Sequence, residues 1–239
     1  RADVLIMETT FGRPHYVFPP TAQVLSDIAA FCHGCLDDGE TPVLLGYSLG
    51  KSQEILCGLA DAKLPVMLHP QTLRLTRIYE ELGLAMPPYR EFHAAELAGH
   101  VVICPPQAGT SAFLQQIPRR RTAIVTGWAI DPGATYRYQC DAAFPLSDHA
   151  DYPDLLRFVA AVQPQRVFTL HGFAQDFART LRERGIEAWA IGEDNQLELA
   201  MKLARAGPTA PREPASAQNS SPNQAPNAFA RFAAATEQV

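Results

Sequence analysis

The sequence predicts an α/β fold of βαβ units on a mostly parallel sheet, followed by a disordered tail. Three observations carry the prediction. Short apolar runs, VLIME, VLLGY, PVMLH, VVICPP and AIVTGW, alternate with stretches of helical period, the signature of parallel strands joined by crossover helices. The chain has 239 residues, 47% of them hydrophobic and 19% charged, enough to bury one sizeable core or two small ones. Beyond Ala206 the sequence turns to Pro, Ser, Asn and Ala in GPTAPREPASAQNSSPNQAPNA, which has too little to bury to offset the entropy of ordering.

The elements follow in order from their periods. A strand over VLIME leads to a helix in TAQVLSDIAAFCHGCLDDG, where Val24, Ile28, Phe31 and Cys35 recur at helical spacing and Gly39 is the stop. In QTLRLTRIYEELG, Leu75, Ile78, Tyr79 and Leu82 mark the apolar stripe before Gly83. After Trp128 comes an irregular stretch, AIDPGATYRYQCDAAFPLSDHADYPD; a connection of that length in a compact domain is usually functional. A helix from about Pro153 to Val162, the strand RVFTLHG, a helix with Phe173, Phe177 and Leu181 on one face, and the strand EAWAIG complete the ordered part. The last residues, FARFAAATEQV, regain helical spacing.

Composition bounds the function. A net charge of -5 and a pI near 5.8 argue against bulk electrostatic capture of nucleic acid, though not against a local basic patch. No apolar stretch approaches the roughly 18 residues of a membrane span, so a cytoplasmic protein is expected. Five cysteines (Cys32, Cys35, Cys57, Cys104 and Cys140) without a framework fit a reducing compartment. The chain begins RADVLIMETT, without an initiator Met, and is expected to be a piece of a longer protein.

Several motifs have an ordinary structural reading beside a functional one. Cys32-His33-Gly34-Cys35 has CxxC spacing, but it lies in a helical pattern with no second pair, and packing is the better reading. Arg119, Arg120 and Arg121 read as a solvated turn, with a phosphate contact as the alternative. His69 closes a strand at the edge where α/β folds place their sites, and reads equally as a substrate contact or a strand cap. GYSLGKS, from Gly46 to Ser52, follows a strand and opens a helix as a phosphate loop would. It has only three residues between Gly46 and Gly50, one fewer than a nucleoside-triphosphate loop needs. Such a turn can still hold an anion on the free N–H groups of a helix N-terminus. Glu8 at the end of the first strand, His149 in SDHADY and His171 at the end of RVFTLHG all lie at strand exits or in loops, and imidazoles both ligate zinc and move protons near neutral pH.

Taken together and in order, ETTFG, GYSLGKSQEIL, VTGW, SDHADYPDLL and TLHG resemble the later part of the beta-CASP nucleases of the metallo-β-lactamase fold, and within them the bacterial ligase-associated DNA exonucleases. The resemblance implies a partial metallo-β-lactamase (αββα) domain over residues 1–12 and 129–206, an inserted Rossmann-like beta-CASP domain over 13–128, and a disordered tail over 207–239. It implies that Glu8 and His149 are catalytic, Glu8 orienting His149, and that His171 is a metal ligand in a site of two zinc ions. It further implies that the GYSLGKS turn faces the cleft between the two domains, where Ser48, Gly50 and Lys51 contact a nucleic-acid backbone; an ordinary βα turn with Lys51 in solvent is the alternative, and His69, from its place at the strand edge, is a further candidate contact.

The family's main metal motif, His-x-His-x-Asp-His, does not occur in this sequence, so this chain alone is expected to be inactive. DNA is the implied substrate and an ATP-dependent DNA ligase, fused or separate, the implied partner. An RNA-processing ribonuclease and a non-catalytic nucleic-acid-binding protein are the rival readings.

Overall fold

A three-stranded parallel sheet joins β1 (Val4–Glu8), β8 (Arg166–Leu170) and β9 (Glu187–Ala190), in the order β1-β8-β9. The computed structural model that shows this describes residues 1–110 and 112–192; the predicted tail, 207–239, lies outside them. β1 alternates as a half-buried strand should, with Met7 buried and Val4 and Ile6 exposed. Two helices, α6 (Tyr152–Val162) and α7 (Ala174–Glu183), supply the rest of this core. Leu155, Leu156 and Val159 of one and Phe177, Ala178 and Leu181 of the other pack with Met7, Val167 and Ala188. The side chain of Asp151 caps α6 by accepting the N–H of Asp154 at 2.9 Å, and Pro153 occupies its first turn, where a missing N–H costs nothing.

A six-stranded parallel sheet forms the second unit, in the order β4-β3-β5-β2-β6-β7. Its strands are β2 (Thr41–Leu45), β3 (Val66–Leu68), β4 (Arg90–Glu91), β5 (Val101–Cys104), β6 (Arg120–Val125) and β7 (Ala142–Phe144). The helices are α1 (Thr21–Asp37), α2 (Lys51–Gly58), α3 (Pro70–Glu81), α4 (Ala112–Gln115) and α5 (Ala134–Tyr138). β2 is fully buried, as a central parallel strand covered on both faces must be. One cluster gathers Val24, Ile28 and Cys32 of α1 with Leu44, Ile55, Leu56, Leu68 and Ile103; another gathers Val43, Met67, Val102, Ile117 and Ile124.

The chain divides into two compact units, Arg1–Val17 with the chain from His149 onward, and Phe18–Asp148. The observed division thus falls after Val17 and Asp148, where the resemblance implied 12 and 128. β7 is the reason for the second difference. It pairs with β6 in the register Ala123↔Ala142, Ile124↔Ala143 and Val125↔Phe144, inside the stretch whose composition predicts only irregular chain. Asp141 anchors it by accepting the Thr122 N–H at 2.7 Å.

The cysteine and arginine motifs are structural. Cys32 and Cys35 are both fully buried on α1, and burial, with Cys35 nearby, pushes the Cys32 thiol up to about 12, which removes the thiolate that ligation or redox exchange requires. The three arginines are tied to neighbouring groups, Arg119 while exposed and Arg120 and Arg121 half-buried. Arg121 pairs with Asp38 and Glu40, Arg120 donates to the Ile117 carbonyl at 2.6 Å, and Arg119 donates to that of Asp38 at 3.4 Å. They pin the end of α1 to the start of β6.

Candidate active site

Glu8, Thr9 and Thr10 leave the end of β1 with alternating side chains, and each residue has a different task. Glu8 pairs in register with Leu170 of β8, so His171 lies one residue beyond the neighbouring strand. Thr9 is fully buried; its hydroxyl lies 3.1 Å from the Leu170 carbonyl and 3.0 Å from that of His171, and its own carbonyl accepts the Phe173 N–H at 3.0 Å. Thr10 turns back: its N–H and its hydroxyl both donate to Glu8 Oε2, at 2.8 and 2.5 Å. His149 completes the group, with Nδ1 3.4 Å from Glu8 Oε1 and 3.4 Å from Thr10 Oγ1.

Burial alone would raise the Glu8 pKa, but the two Thr10 hydrogen bonds and the neighbouring His149 outweigh it and hold the carboxyl below its ordinary value. The carboxylate is therefore charged at neutral pH, as a partner for an imidazole must be. His149 is held from several sides. Buried Phe11 meets its ring edge-on, with centroids 6.1 Å apart. The Tyr152 N–H, three residues on, donates to the Tyr16 carbonyl at 3.0 Å. Tyr16 in turn stacks on Phe173, and Arg13 covers that ring while pairing with Asp176 at 2.6 Å.

The sequence reading named Glu8, His149 and His171. The structure brings the first two into contact, and places the exposed His171 at the end of β8 in a left-handed turn, φ 59°. Among the described residues no group of three or more His, Cys, Asp or Glu side chains is arranged to hold a metal ion. Thr9 and Thr10 were missed. Their signal was the ETT sequence itself, since a hydroxyl two residues after a strand-end carboxylate is placed to bond it locally.

The polar groups of the GYSLGKS turn are engaged within the chain in three ways, and Lys51 is not in solvent as the ordinary-turn alternative expected. Lys51 is 2% exposed and its Nζ lies 2.5 Å from Glu54 Oε2, so it is neither offered to a ligand nor in solvent. The Gly50, Lys51 and Ser52 N–H groups are already bonded, to Gln53 Oε1 at 2.8 Å and to the Leu49 and Tyr47 carbonyls at 3.0 Å. Ser48 is buried, with its hydroxyl accepting from Thr72 at 3.4 Å. Gln53, overlooked in the sequence, sits where an anion would: besides accepting from Gly50 it donates to the Ser48 carbonyl at 3.1 Å and to Thr76 Oγ1 at 2.8 Å. These contacts also turn α3, which buries Thr72, Leu73 and Thr76 while Ile78 and Leu82 stay exposed. His69 caps the helix that follows it: its Nδ1 accepts the Gln71 N–H at 3.1 Å at the start of α3, and burial lowers its pKa.

Residues 139–191 match the model of the family described as the Zn-dependent metallo-hydrolase RNA specificity domain. A protein named Probable DNA ligase from Opitutus terrae is 65% identical over 249 residues, covering 100% of this chain and 24% of its own length. The chain thus spans about a quarter of that relative. A crystal structure of a protein of unknown function from Enterococcus faecalis V583 aligns with a TM-score of 0.43 at 12% identity, over 80% of this chain and 49% of that one, a likeness too slight to carry an argument.

The matched domain is one described for metallo-hydrolases. The parallel sheets and that domain, over residues 139–191, are consistent with part of a metallo-β-lactamase fold carrying a beta-CASP insert.

Proposed function

We propose that the full-length protein is a metal-dependent nuclease that hydrolyses phosphodiesters in DNA, acting in the cytoplasm as an exonuclease that prepares ends for a DNA ligase. The observation that carries the reading is the contact of Glu8 with His149 at 3.4 Å, a charged carboxylate beside an imidazole at a strand exit, within a chain whose 65%-identical relative is named a DNA ligase. His149 is the group that donates a proton to the leaving oxygen as the P–O bond breaks. Glu8, by accepting from Nδ1, fixes the orientation of the ring.

Zinc does not fit the described residues by themselves. His171 is one imidazole on an exposed turn, no cluster of ligands accompanies it, and a catalytic zinc takes about three protein ligands. No step above passes through a metal. Two zinc ions, with His171 as one ligand, remain an expectation for the full-length protein.

Cleavage of matched DNA and RNA strands by the full-length protein and its His149→Ala variant tests the reading. DNA cleavage that falls on substitution supports it, and cleavage at the wild-type rate by the variant overturns it. Preference for RNA would instead establish the second reading, an RNA-processing enzyme, which the match to an RNA specificity domain favours.

A further inference from the structure

The geometry points to Thr10 as a positioning residue that sets the tautomer of His149. A threonine hydroxyl has one proton and two lone pairs. That proton lies on the line to Glu8 Oε2, where the separation is 2.5 Å and the Thr10 N–H also arrives, at 2.8 Å. Oε2 is thereby filled, and Oε1 is the oxygen left toward the ring. With its proton committed, the hydroxyl can only accept from His149, whose Nδ1 lies 3.4 Å away. Nδ1 thus faces two acceptors, Thr10 Oγ1 and Glu8 Oε1, both at 3.4 Å, and no proton of Thr10 is available to it. The neutral ring carries its hydrogen on Nδ1 and its lone pair on Nε2. When the ring is protonated, Nε2 is the nitrogen that gains the proton and can give it up again.

The consequence for cleavage rests on the proposed nuclease reading, but the tautomer does not. Without the hydroxyl, Glu8 loses the 2.5 Å hydrogen bond, its carboxylate can rotate, and Nδ1 loses Thr10 Oγ1 as an acceptor. Both tautomers become accessible, and part of the population presents the wrong nitrogen to the leaving group.

Two measurements test this. In the 239-residue chain labelled with 15N-histidine, long-range proton–nitrogen spectra at about pH 8, where an ordinary imidazole is neutral, report which nitrogen holds the hydrogen, with His149→Gln assigning the signal. Wild type and Thr10→Ser are expected to show a protonated Nδ1, and Thr10→Val a mixture shifted toward protonated Nε2. A wild-type ring protonated on Nε2 overturns the proposal whatever the variants do, and so does a folded Thr10→Val chain with wild-type nitrogen shifts. In the full-length protein, Thr10→Val should lower kcat by about ten- to a hundredfold with KM little changed, and Thr10→Ser should restore most of it. If His149→Ala cleaves as well as wild type while the tautomer pattern holds, the nuclease reading fails and the positioning role stands.

Discussion

Gly172 lies so close to Thr10 that a Cβ at position 172 would stand 2.4 Å from Thr10 Cα and 2.6 Å from its carbonyl oxygen. The neighbour is backbone, which cannot swing aside, and Gly172 also has φ +54°. Gly172→Ala is therefore expected to cost about 2–4 kcal/mol, combining overpacking with a left-handed alanine. Urea unfolding of the chain measures it; a loss under about 1 kcal/mol would show that the two strand-exit turns are not in contact.

Acid should weaken the same unit through Glu8. Its folded pKa is below the ordinary value of 4.5, so its contribution to stability is fully present above that value and is lost as pH falls through the lower folded one. Glu8→Gln has no such term. The gap in urea midpoint between wild type and Glu8→Gln is expected to be constant near neutral pH and to narrow as pH falls below the ordinary carboxylate value and through the lowered folded one. A gap that widened with acid would mean that burial, not Thr10 and His149, dominates the carboxyl.

Gln53 and Lys51 make the β2–α2 turn a structural plug, and they should be sensitive to truncation. Gln53→Ala leaves the Gly50 N–H, the Ser48 carbonyl and the Thr76 hydroxyl short of a partner, at a cost of about 2–4 kcal/mol. Lys51→Met keeps the buried stem and is expected to be milder than Lys51→Ala. Neither lysine variant should change affinity for a DNA strand in the full-length protein, because the ammonium is already held by Glu54. A clear loss of affinity in a stably folded Lys51→Met protein would restore Lys51 as a phosphate contact.

The period-based elements were legible because strand and helix patterns with clear stops mark α1, β2, β5, α6 and α7. β7 was not legible, since three residues before Pro145 carry no period. Nor was the buried face of α3, where Leu75 and Ile78 suggest one stripe and the partners of Gln53 and Ser48 select another. In the candidate site, residue types at strand exits gave Glu8, His149 and His171. Thr9 and Thr10 were hidden because their roles depend on which way each side chain points after β1 ends, a fact of register rather than composition.

Metal content should separate the three named site residues in the full-length protein. A ligand sets occupancy, whereas a residue acting on the leaving group or its partner changes the rate alone. His149→Ala is expected to lower the single-turnover cleavage rate by about 10²–10⁴-fold and Glu8→Gln by about ten- to a hundredfold, each with bound zinc near the wild-type level. His171→Ala should lose metal as well as activity, since its turn, held by the Thr9 hydroxyl, presents the imidazole at the end of β8. Metal analysis beside the rate measurements decides the matter: equal metal loss in all three variants would mean that Glu8 and His149 are ligands themselves, and full metal retention in His171→Ala would remove His171 from the metal site.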